Sequence, residues 1–373
     1  MKLYLVPILV LLCLTLGCTQ QKSIRMGVIL PQTGSGADQA EWQRQGIELA
    51  KEEINNAGGL HGLPVELIYE DSKGGDPKEA LSAYQKLTAF QPLTALLTWG
   101  SGVGIALTNF SNQDHVIQMG IATASPAYST PNDYTFRDYP SSVSEGAFLA
   151  DLVFNQLHYS KIAILYINND YGLGMKKAFS KKYSELGGTI VAEEAFDKGT
   201  TDVRTELTNI QSTQPQALFL TTYPLEGAII VTQAKELGLK LPFIASTAIL
   251  GGKGFFDVAG NSAEGLLASR QKFDPSDPNP TTQTFTKLYK SKYGTDPNIY
   301  SVWAYDGLKV LASAMKICED PKDTLCIKDQ LLATRDYPGA IGKISFDKNG
   351  DIQADFQVFV VKGERFEPYA IPS

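Results

Sequence analysis

The sequence predicts an α/β protein of two doubly wound lobes, each with a parallel central sheet covered by helices. Strand-like and helix-like segments alternate along the chain once the first two dozen residues are passed. The second half repeats the element order of the first half. The roughly 355 residues that follow a signal-like N-terminus also exceed what one hydrophobic core usually serves, so two lobes are expected.

The first half alternates strands with amphipathic helices, a pattern typical of a parallel sheet. In the first helix Ile47, Ala50 and Ile54 share one face, and Gly58-Gly59 ends the helix. A later helix begins near Gly102. The predicted strands are 24–30, 65–69, 93–98 and 116–122, and the other predicted helices are 41–56 and 77–90.

The second half restates this order after Pro140. A strand, a loop with glycine, a helix, Gly187-Gly188 and another strand follow one another as they do in the first half. The repeat favours two similar lobes over one large sheet. The predicted strands are 162–167, 190–194, 217–220 and 243–245, and the predicted helices are 172–186, 226–237 and 253–258.

The C-terminal part adds helices and then short strands after both lobes are complete. Asn349-Gly350 lies between the last two strands and is a strong hairpin signal. We therefore expect the chain to return to each lobe. The predicted helices are 282–293, 299–317 and 328–333, and the predicted strands are 343–346 and 356–361.

The N-terminus reads as a secretory signal. Lys2 precedes an apolar run over 3–16, which ends at Gly17 and Cys18. A cysteine directly after a small residue resembles a lipoprotein signal, in which that cysteine becomes the lipidated first residue. We expect a signal peptide over 1–17 and a lipid-anchored linker over 18–23. The alternative is an ordinary signal with an incidental cysteine. Both place the protein outside the cytoplasm, in the periplasm or at the cell surface.

Charge and composition exclude several function classes. The chain has 40 acidic and 33 basic residues and no long run of either sign, so nucleic acid is not an expected partner. The histidines His61, His115 and His158 are scattered and form no metal-binding motif. We expect neither a metal site nor a cofactor.

Cys318 and Cys326 are the cysteines left for structure after the signal region is removed. Outside the cytoplasm two nearby thiols favour a disulfide that closes a small loop. A metal pair is the alternative, but it lacks partner ligands. We predict the disulfide, as a structural link.

Ligands of open α/β sheets bind beyond the carboxyl ends of the strands. In the first half the segment 98–104 leaves a strand and enters a helix, so its backbone N–H groups and the Ser101 hydroxyl suit a carboxylate. Gly102 belongs to this turn. A plain glycine turn is the alternative, and the segment lacks the ending of a phosphate loop.

Other loops after strands carry small hydroxyl residues or tyrosines. Ala122, Thr123, Ala124 and Ser125 follow a strand of the first half. Loops of the second half place aromatic rings in the corresponding position, although a single tyrosine is more often a packing residue. These rings belong to Tyr171 and Tyr223.

Several motifs in a fixed order identify a family. They are "LPQTGSGA" and "GIELAKEEINNAGGLHGLPVELIYED" near the N-terminus, "ATASP" at 122–126, "NNDYGLGM" at 168–175, "WAYDGLKVL" at 303–311 and "GKISFDKNGD" at 342–351. With them the chain resembles the type I periplasmic binding proteins of the branched-chain amino acid and amide transport class. Those proteins are the ligand-capturing subunits of ABC importers.

The resemblance implies two Rossmann-like lobes with parallel central sheets, joined by three crossing strands. We expect these crossings near 136–140, 268–272 and 338–342. The implied division of the chain is lobe 1 at 24–138 plus 272–339, and lobe 2 at 139–271 plus 340–373.

The resemblance also implies binding residues. In the family's amino acid binders a serine at position 101 and small hydroxyl residues at 123 and 124 receive the α-carboxylate and ammonium, while a tyrosine at 171 closes from the other lobe. Ser101 and Tyr171 are kept. Position 124 is Ala124 instead of threonine, and Thr123 and Ser125 are candidates to substitute for it.

The family's acidic partner of the α-ammonium falls near Thr247, which carries no charge. A buried ammonium without a carboxylate costs several kcal/mol. Two alternatives follow: another acid such as Glu226 or Asp170 takes the role, or the ligand is not a standard α-amino acid.

Aromatic residues in the predicted cleft segments make an apolar or aromatic ligand portion plausible. For Trp303 we favour a place in the helix core. Arg137 and Arg270 lie near predicted crossings and can either pair with an anionic ligand group or link the lobes. The other aromatic residues of these segments are Trp42, Trp99, Tyr171, Tyr223 and Tyr300.

The leading functional hypothesis is a lipid-anchored, monomeric solute receptor that closes on a small organic molecule and delivers it to an ABC permease and its ATPase. The alternative is a sensory receptor subunit that signals through a separate membrane partner. An enzyme is not expected, because the sequence has no nucleophile elbow, metal set or suitably placed histidine.

Overall fold

The computed structural model describes residues 23–89, 91–252 and 254–371. The predicted signal peptide and the predicted lipidation site Cys18 lie outside the described residues. Within those three ranges, no helix combines the length and the apolar composition that crossing a membrane requires.

The first half of the chain forms a parallel sheet with helices packed on it. Its strands are β1 (Ile24–Leu30), β2 (Val65–Asp71), β3 (Ala95–Trp99), β4 (Ile117–Ala122) and β5 (Thr135–Arg137). They lie in the order β2-β1-β3-β4-β5, and each neighbouring pair is parallel. The helices of this part are α1 (Ala37–Asn56), α2 (Pro77–Thr88) and α3 (Ser101–Gln113).

The second half forms another sheet with a parallel centre. Its parallel strands are β6 (Lys161–Ile167), β7 (Thr189–Phe196), β8 (Ala217–Thr221), β9 (Phe243–Ala245) and β10 (Leu267–Gln271). They lie in the order β7-β6-β8-β9-β10. The helices of this part are α4 (Ser142–Asp151), α5 (Asp170–Glu185), α6 (Arg204–Ser212), α7 (Pro224–Glu236) and α8 (Phe255–Ala259).

The remaining elements return to both lobes. Helices α9 (Pro280–Tyr293), α10 (Ile299–Ile317) and α11 (Thr324–Ala333) follow β10, and α10 packs against α1 of the first lobe. Strands β11 (Tyr337–Gly339) and β12 (Gly342–Ile344) pair with each other. Strands β13 (Phe356–Val361) and β14 (Phe366–Pro368) then extend the second sheet in antiparallel fashion beyond β10.

The parallel strands of the lobes follow the same spatial order. If β6 is counted as the first strand of its half, each sheet reads 2-1-3-4-5, which is one of the common doubly wound orders. The predicted fold class is therefore confirmed. In such sheets a ligand binds beyond the carboxyl ends of the strands, where the strand order reverses.

Most predicted elements appear with shifted ends, and four have the predicted limits, namely β1, β9, β13 and α10. Two helices were not predicted, α4 and α6. The segments predicted as the first and second crossings overlap the ends of β5 and β10, so the chain changes lobes immediately after these strands. The predicted strand at 343–346 is also shorter, because β12 ends at Ile344.

The prediction that Asn349-Gly350 joins the last two predicted strands into a hairpin is wrong, because these strands do not pair with each other. Strand β12 pairs with β11 through a turn at Ala340-Ile341, and β13 pairs with β10 instead. Only a single antiparallel bridge, Phe346 to Ile352, flanks the Asn-Gly turn among the described residues. The predicted third crossing at 338–342 falls inside the β11–β12 hairpin, so the chain crosses later, between β12 and β13.

The predicted disulfide is present in the structure. Cys318 and Cys326 are bonded, and their Cα atoms are 6.0 Å apart. The bond joins the residue after α10 to the first turn of α11, so it closes the short loop between these helices.

Candidate functional site

A small cavity lies where the carboxyl ends of strands from both sheets meet. Its volume is about 20 Å³, little more than one water molecule requires. Six predicted binding residues line it: Trp99, Ser101, Ala122, Ala124, Tyr171 and Tyr223. The other lining residues are Gln39, Gly100, Tyr139, Ala248 and Tyr300, of which only Tyr300 was among the predicted cleft aromatics.

The first-lobe wall is built from hydrogen-bond donors. Ser101 begins α3 directly after Gly100, whose φ of 89° lies in the range that favours glycine. The Ser101 Oγ accepts hydrogen bonds from the backbone N–H groups of Ala124 at 3.2 Å and Ser125 at 3.1 Å. Since the first turn of a helix also has N–H groups without intrahelical partners, this wall suits an anion. We call Ser101 with these two N–H groups the donor set.

The donor set is held in place by the buried Arg137. Its Nη1 donates to the carbonyl oxygens of Thr123 and Ser125, both at 3.0 Å. Its Nε lies 2.7 Å from Asp351 Oδ1. Arg137 therefore does not face a ligand. It links the donor-set loop to the third crossing.

Several predicted binding residues do not line the cavity. The Thr123 hydroxyl donates to Gly100 O at 3.3 Å, and Ser125 Oγ accepts from Ala127 N at 3.4 Å. Gly102 lies on α3 near α5, where a Cβ at position 102 would be 3.4 Å from Asp170 Oδ2. Neither hydroxyl replaces the missing threonine at the cavity surface.

Aromatic side chains fill the space between the lobes. The rings of Tyr171 and Tyr223 stack at 5.6 Å, and the Tyr223 ring lies 6.5 Å from that of Trp99 in the first lobe. The Trp99 Nε1 donates to Gln39 Oε1 at 3.1 Å. The structure is therefore closed at the cavity, with first-lobe and second-lobe rings in proximity.

Tyr171 is positioned by the first turn of α5. The Asn169 side chain caps this helix by accepting from Gly172 N at 3.0 Å. The hydroxyl groups of Tyr171 and Ser246 are hydrogen-bonded at 2.7 Å. Burial and the nearby charge of Glu145 raise the pKa of Tyr171 well above its usual range, so the tyrosine stays neutral.

Thr247 binds the carboxylate of Glu145, a residue that was not predicted from the sequence to belong to the site. Its backbone N–H and hydroxyl donate to Glu145 Oε1 at 2.7 and 2.8 Å, and Ser269 Oγ donates to the same oxygen at 2.6 Å. Glu145 is fully buried. Burial raises its pKa, although these hydrogen bonds act in the opposite direction. An acid is thus present beside position 247, but it comes from α4.

Close helix packing brings Glu145 to this place. Gly146 has no room for a side chain, because a Cβ there would lie 2.8 Å from Phe179 N of α5. The Ser141 side chain caps α4 by accepting from Val143 N at 3.1 Å. The buried residues of α4 include Ser142, Glu145, Gly146 and Leu149, which share one helical face.

The acids that the sequence suggested lie elsewhere. Glu226 Oε1 accepts from Gly199 N at 3.0 Å, and Asp170 lies opposite Gly102 at the rim of the cleft. Neither residue lines the cavity.

A direct contact between the lobes lies beside the cavity. Lys198, in the loop after β7, donates from Nζ to the carbonyl oxygen of Gly74, in the loop after β2. The same Nζ is 6.0 Å from the centre of the Tyr223 ring. This contact joins the closed lobes independently of the cavity walls.

The remaining aromatic residues support the wall. Trp42 lies 6.1 Å from Tyr300, ring centre to ring centre. Trp303 is fully buried and donates from Nε1 to Gln271 Oε1 at 2.6 Å, so its predicted place in the helix core is confirmed. Its ring also lies 4.5 Å from that of Tyr139.

Arg270, the other arginine near a predicted crossing, lies in a different environment from Arg137. Its Cζ lies 4.1 Å from the centre of the Phe359 ring, and its buried Nε has no hydrogen-bond partner among the described residues. Burial lowers the pKa of Arg270 to about 10.

A larger groove lies along the crossing segments and contains none of the predicted binding residues. It has a volume of about 950 Å³ and is lined by residues such as Lys272, Asp277 and Asp355. Its lining includes none of the residues of the donor set. No group of histidine, cysteine and acidic side chains suited to a metal ion occurs among residues 23–89, 91–252 and 254–371.

Matching α/β lobes that enclose a cavity at the carboxyl ends of their strands define a two-lobed solute-binding protein. The chain belongs to the periplasmic binding protein family, whose model matches residues 23–365. The resemblance predicted from the sequence motifs is therefore confirmed.

Three similar proteins illustrate this relationship. A Leu/Ile/Val-binding protein homolog 2 of Brucella abortus is 27% identical over 343 residues, which cover 90% of this chain and 89% of the relative. The leucine-binding protein LivK of Thermotoga maritima has a TM-score of 0.86 at 26% identity, over 93% of this chain and 98% of that structure. LivJ of Streptococcus pneumoniae, solved in complex with isoleucine, has a TM-score of 0.81 at 25% identity, with coverages of 93% and 98%.

These relatives are substrate-binding proteins and not enzymes. Membership of the family therefore supports a solute-binding role outside the cytoplasm, without chemistry on the bound solute.

Proposed function

We propose that this protein is the solute-binding lipoprotein of an ABC importer, which captures a small carboxylate-bearing molecule between its lobes. The protein performs no reaction. It closes around the solute and delivers it to a permease and its ATPase. The relatives include a Leu/Ile/Val-binding protein homolog and a protein solved in complex with isoleucine, which supports an amino acid or a related compound as the solute.

The donor set is the observation that carries this proposal. Ser101 lines the cavity at the first turn of α3, and its Oγ is held by the N–H groups of Ala124 and Ser125. With its oxygen held by these two N–H groups, the Ser101 hydroxyl donates its own hydrogen to a ligand carboxylate at this wall, and the N–H groups in the first turn of α3 donate as well. Charge-assisted hydrogen bonds of this kind are stronger than those between neutral groups.

Closure follows from contacts that only the shut cleft provides. A cavity of about 20 Å³ has no room for an amino acid, so the lobes separate or their tyrosines move to admit one. Once bound, the solute contacts the first-lobe donor set and the second-lobe rings of Tyr171 and Tyr223 together. A ligand with higher affinity for the closed state shifts the population toward that state.

The proposed anchor is a lipid on Cys18. A processed lipoprotein cysteine carries more than one acyl chain, and two chains hold a protein on a membrane where one is marginal. The residues up to 23 then act as a tether between the membrane and β1. Replacing Cys18 with serine should release the protein from membranes into the soluble fraction, and continued sedimentation of the variant with membranes would contradict the anchor.

The binding proposal is tested by thermal unfolding of the mature protein with amino acids, amides, short-chain acids and aromatic acids. A binding solute raises the melting temperature, because it stabilises only the folded state. Ser101→Ala and Tyr171→Ala should reduce this rise, each measured against the variant's own unliganded melting temperature, which buried truncations are expected to lower. Absence of any shift across all four compound classes would overturn the proposal.

A further inference from the structure

Glu145 has a carboxylate whose two oxygens are in different situations. Oε1 accepts hydrogen bonds from Thr247 N, Thr247 Oγ1 and Ser269 Oγ. Oε2 is buried and has no hydrogen-bond partner among the described residues. Leaving a buried charged acceptor without a partner is costly, so such an atom needs an explanation.

The protein surrounds Glu145 with neutral groups only. Its polar contacts are hydroxyl and backbone N–H groups, and no basic side chain among the described residues forms an ion pair with it. Thr247 and Ser269 lie on different elements, yet both direct their donors to the same oxygen. The arrangement fixes one side of the carboxylate and leaves Oε2 without a hydrogen-bond partner among the described residues.

Glu145 does not itself line the cavity of this closed structure, but the residues that hold its carboxylate adjoin the second-lobe wall. Thr247, which binds this carboxylate, is followed by the cavity residue Ala248. The cavity residue Tyr171 is hydrogen-bonded to Ser246 on the other side of Thr247. Burial, and after it the charge of Glu145, raise the pKa values of Tyr171 and Tyr300, both of which line the cavity.

We propose that Glu145 Oε2 is the anionic partner of a protonated amino group on the ligand. This inference rests on the proposed function and narrows its solute class to compounds with both a carboxylate and an amine. A simple carboxylic acid satisfies the donor set but leaves Oε2 without a cation.

The groups that recognise the two ligand charges lie on different lobes. The donor set belongs to the first lobe and Glu145 to the second, so a molecule with both charges is held fully only when the lobes meet. A compound with only one of these charges binds either the donor set or Glu145, but not both, and it therefore stabilises the closed state less. Thr247 and Ser269 act as positioning residues, because they orient the carboxylate through Oε1.

The test compares each of the standard amino acids with the carboxylic acid that lacks its amine, for example L-leucine with 4-methylpentanoate, by calorimetric titration. We expect the wild-type protein to prefer the best amino acid over its deaminated partner by about 100-fold. In Glu145→Gln this preference should fall below about tenfold, mainly through weaker binding of the amino acid. The glutamine keeps an acceptor at Oε1 for Thr247 and Ser269.

Glu226→Gln is the matched control, because it neutralises another buried acid of the same lobe, whose carboxylate binds Gly199 N and not the Thr247 segment beside the cavity. It should retain the wild-type preference. Equal binding of the amino acid and its deaminated partner by the wild-type protein overturns the role of Glu145 while the proposed solute-binding function stands. Wild-type-like discrimination by Glu145→Gln overturns it too. Failure of every amino acid and every acid to bind overturns the proposed function itself.

Because the wild-type comparison involves no substitution, it decides the question even where Glu145→Gln fails to fold. Circular dichroism and the unliganded melting temperature establish whether the variant is folded.

Discussion

The lobes share one strand order but present opposite chemistry at the edges that meet. The first-lobe edge offers N–H and hydroxyl donors around Ser101, which suit an anion. The second-lobe edge offers the rings of Tyr171 and Tyr223, with the carboxylate of Glu145 behind them. The repeat of the fold therefore does not extend to the site. Different walls allow one small molecule to be recognised at both ends, which two identical walls would not.

The strongest test of this difference gives the first-lobe edge a negative charge. Ser101→Asp should weaken binding of a carboxylate-bearing solute by about 100-fold or more, because an unpaired buried charge costs about 3–5 kcal/mol. Titration calorimetry measures the loss. Ser82→Asp, at an exposed position of α2 in the same lobe, is the control and should bind normally. Normal binding by Ser101→Asp would place the carboxylate elsewhere.

The second-lobe edge is tested by removing its ring. Tyr171→Ala should weaken binding about tenfold to 100-fold, as expected for a buried aromatic residue at the centre of an interface. Tyr171→Phe keeps the ring stack and loses only the hydrogen bond to Ser246, so it should cost less than about tenfold. Equal losses for both variants would show that the hydroxyl, and not the ring, carries the contribution.

The contact outside the cavity should matter less than either edge. Lys198→Met removes the bond to Gly74 O across the cleft, and an exposed charged contact is worth about 1 kcal/mol at most. We expect up to about fivefold weaker binding, seen as faster dissociation in stopped-flow measurements. Lys176→Met, whose partner Glu193 lies in the same lobe, is the control and should leave the dissociation rate unchanged.

Two buried carboxylates near the first crossing should affect the free energy of unfolding and leave ligand binding unchanged. Asp138 and Asp306 are buried carboxylates that lie near one another, and both Asp138 oxygens lack hydrogen-bond partners among the described residues. Burial raises the pKa of Asp306 to about 7, and hydrogen bonds from Ala340 N and Ile341 N and the charge of Lys309 oppose this rise. Burial and then the charge of Asp306 raise the pKa of Asp138.

The sign of the pH effect follows from these directions. The folded protein binds these protons more tightly than the unfolded chain, whose aspartates titrate near pH 4, so the free energy of unfolding falls as the pH rises from about 4 to about 7. Urea unfolding at several pH values measures this fall. The double variant Asp138→Asn/Asp306→Asn should lose most of it. An unchanged profile in the double variant would assign the effect to other groups.

The sequence predicted elements whose pattern is local. The limits of α10 were predicted because its apolar residues continue from Ile299 to Ile317. Helix α4 was missed because the face it buries carries Ser142 and Glu145 as well as apolar residues, so its helical period is hidden by polar side chains. The Asn-Gly turn was recognised, but the strand that pairs with β13 belongs to a distant part of the chain.

Some residues of the candidate site were likewise predicted from the sequence, and others were not. Ser101 and Tyr171 were predicted from their position after strands, and both line the cavity. Glu145 was not predicted, since Thr247 and Ser269 are 102 and 124 residues away in the chain. No spacing rule connects residues so far apart.

By itself the sequence determined the α/β class, the repeat of the halves, the family and the disulfide between Cys318 and Cys326. These features depend on periodicity, turn residues and motifs that lie within short stretches of chain. The tertiary structure alone decided the pairing of β13 with β10, the role of Arg137 behind the donor set and the position of Glu145 beside Thr247. Such contacts depend on which distant segments pack together, and packing is a property of the whole fold.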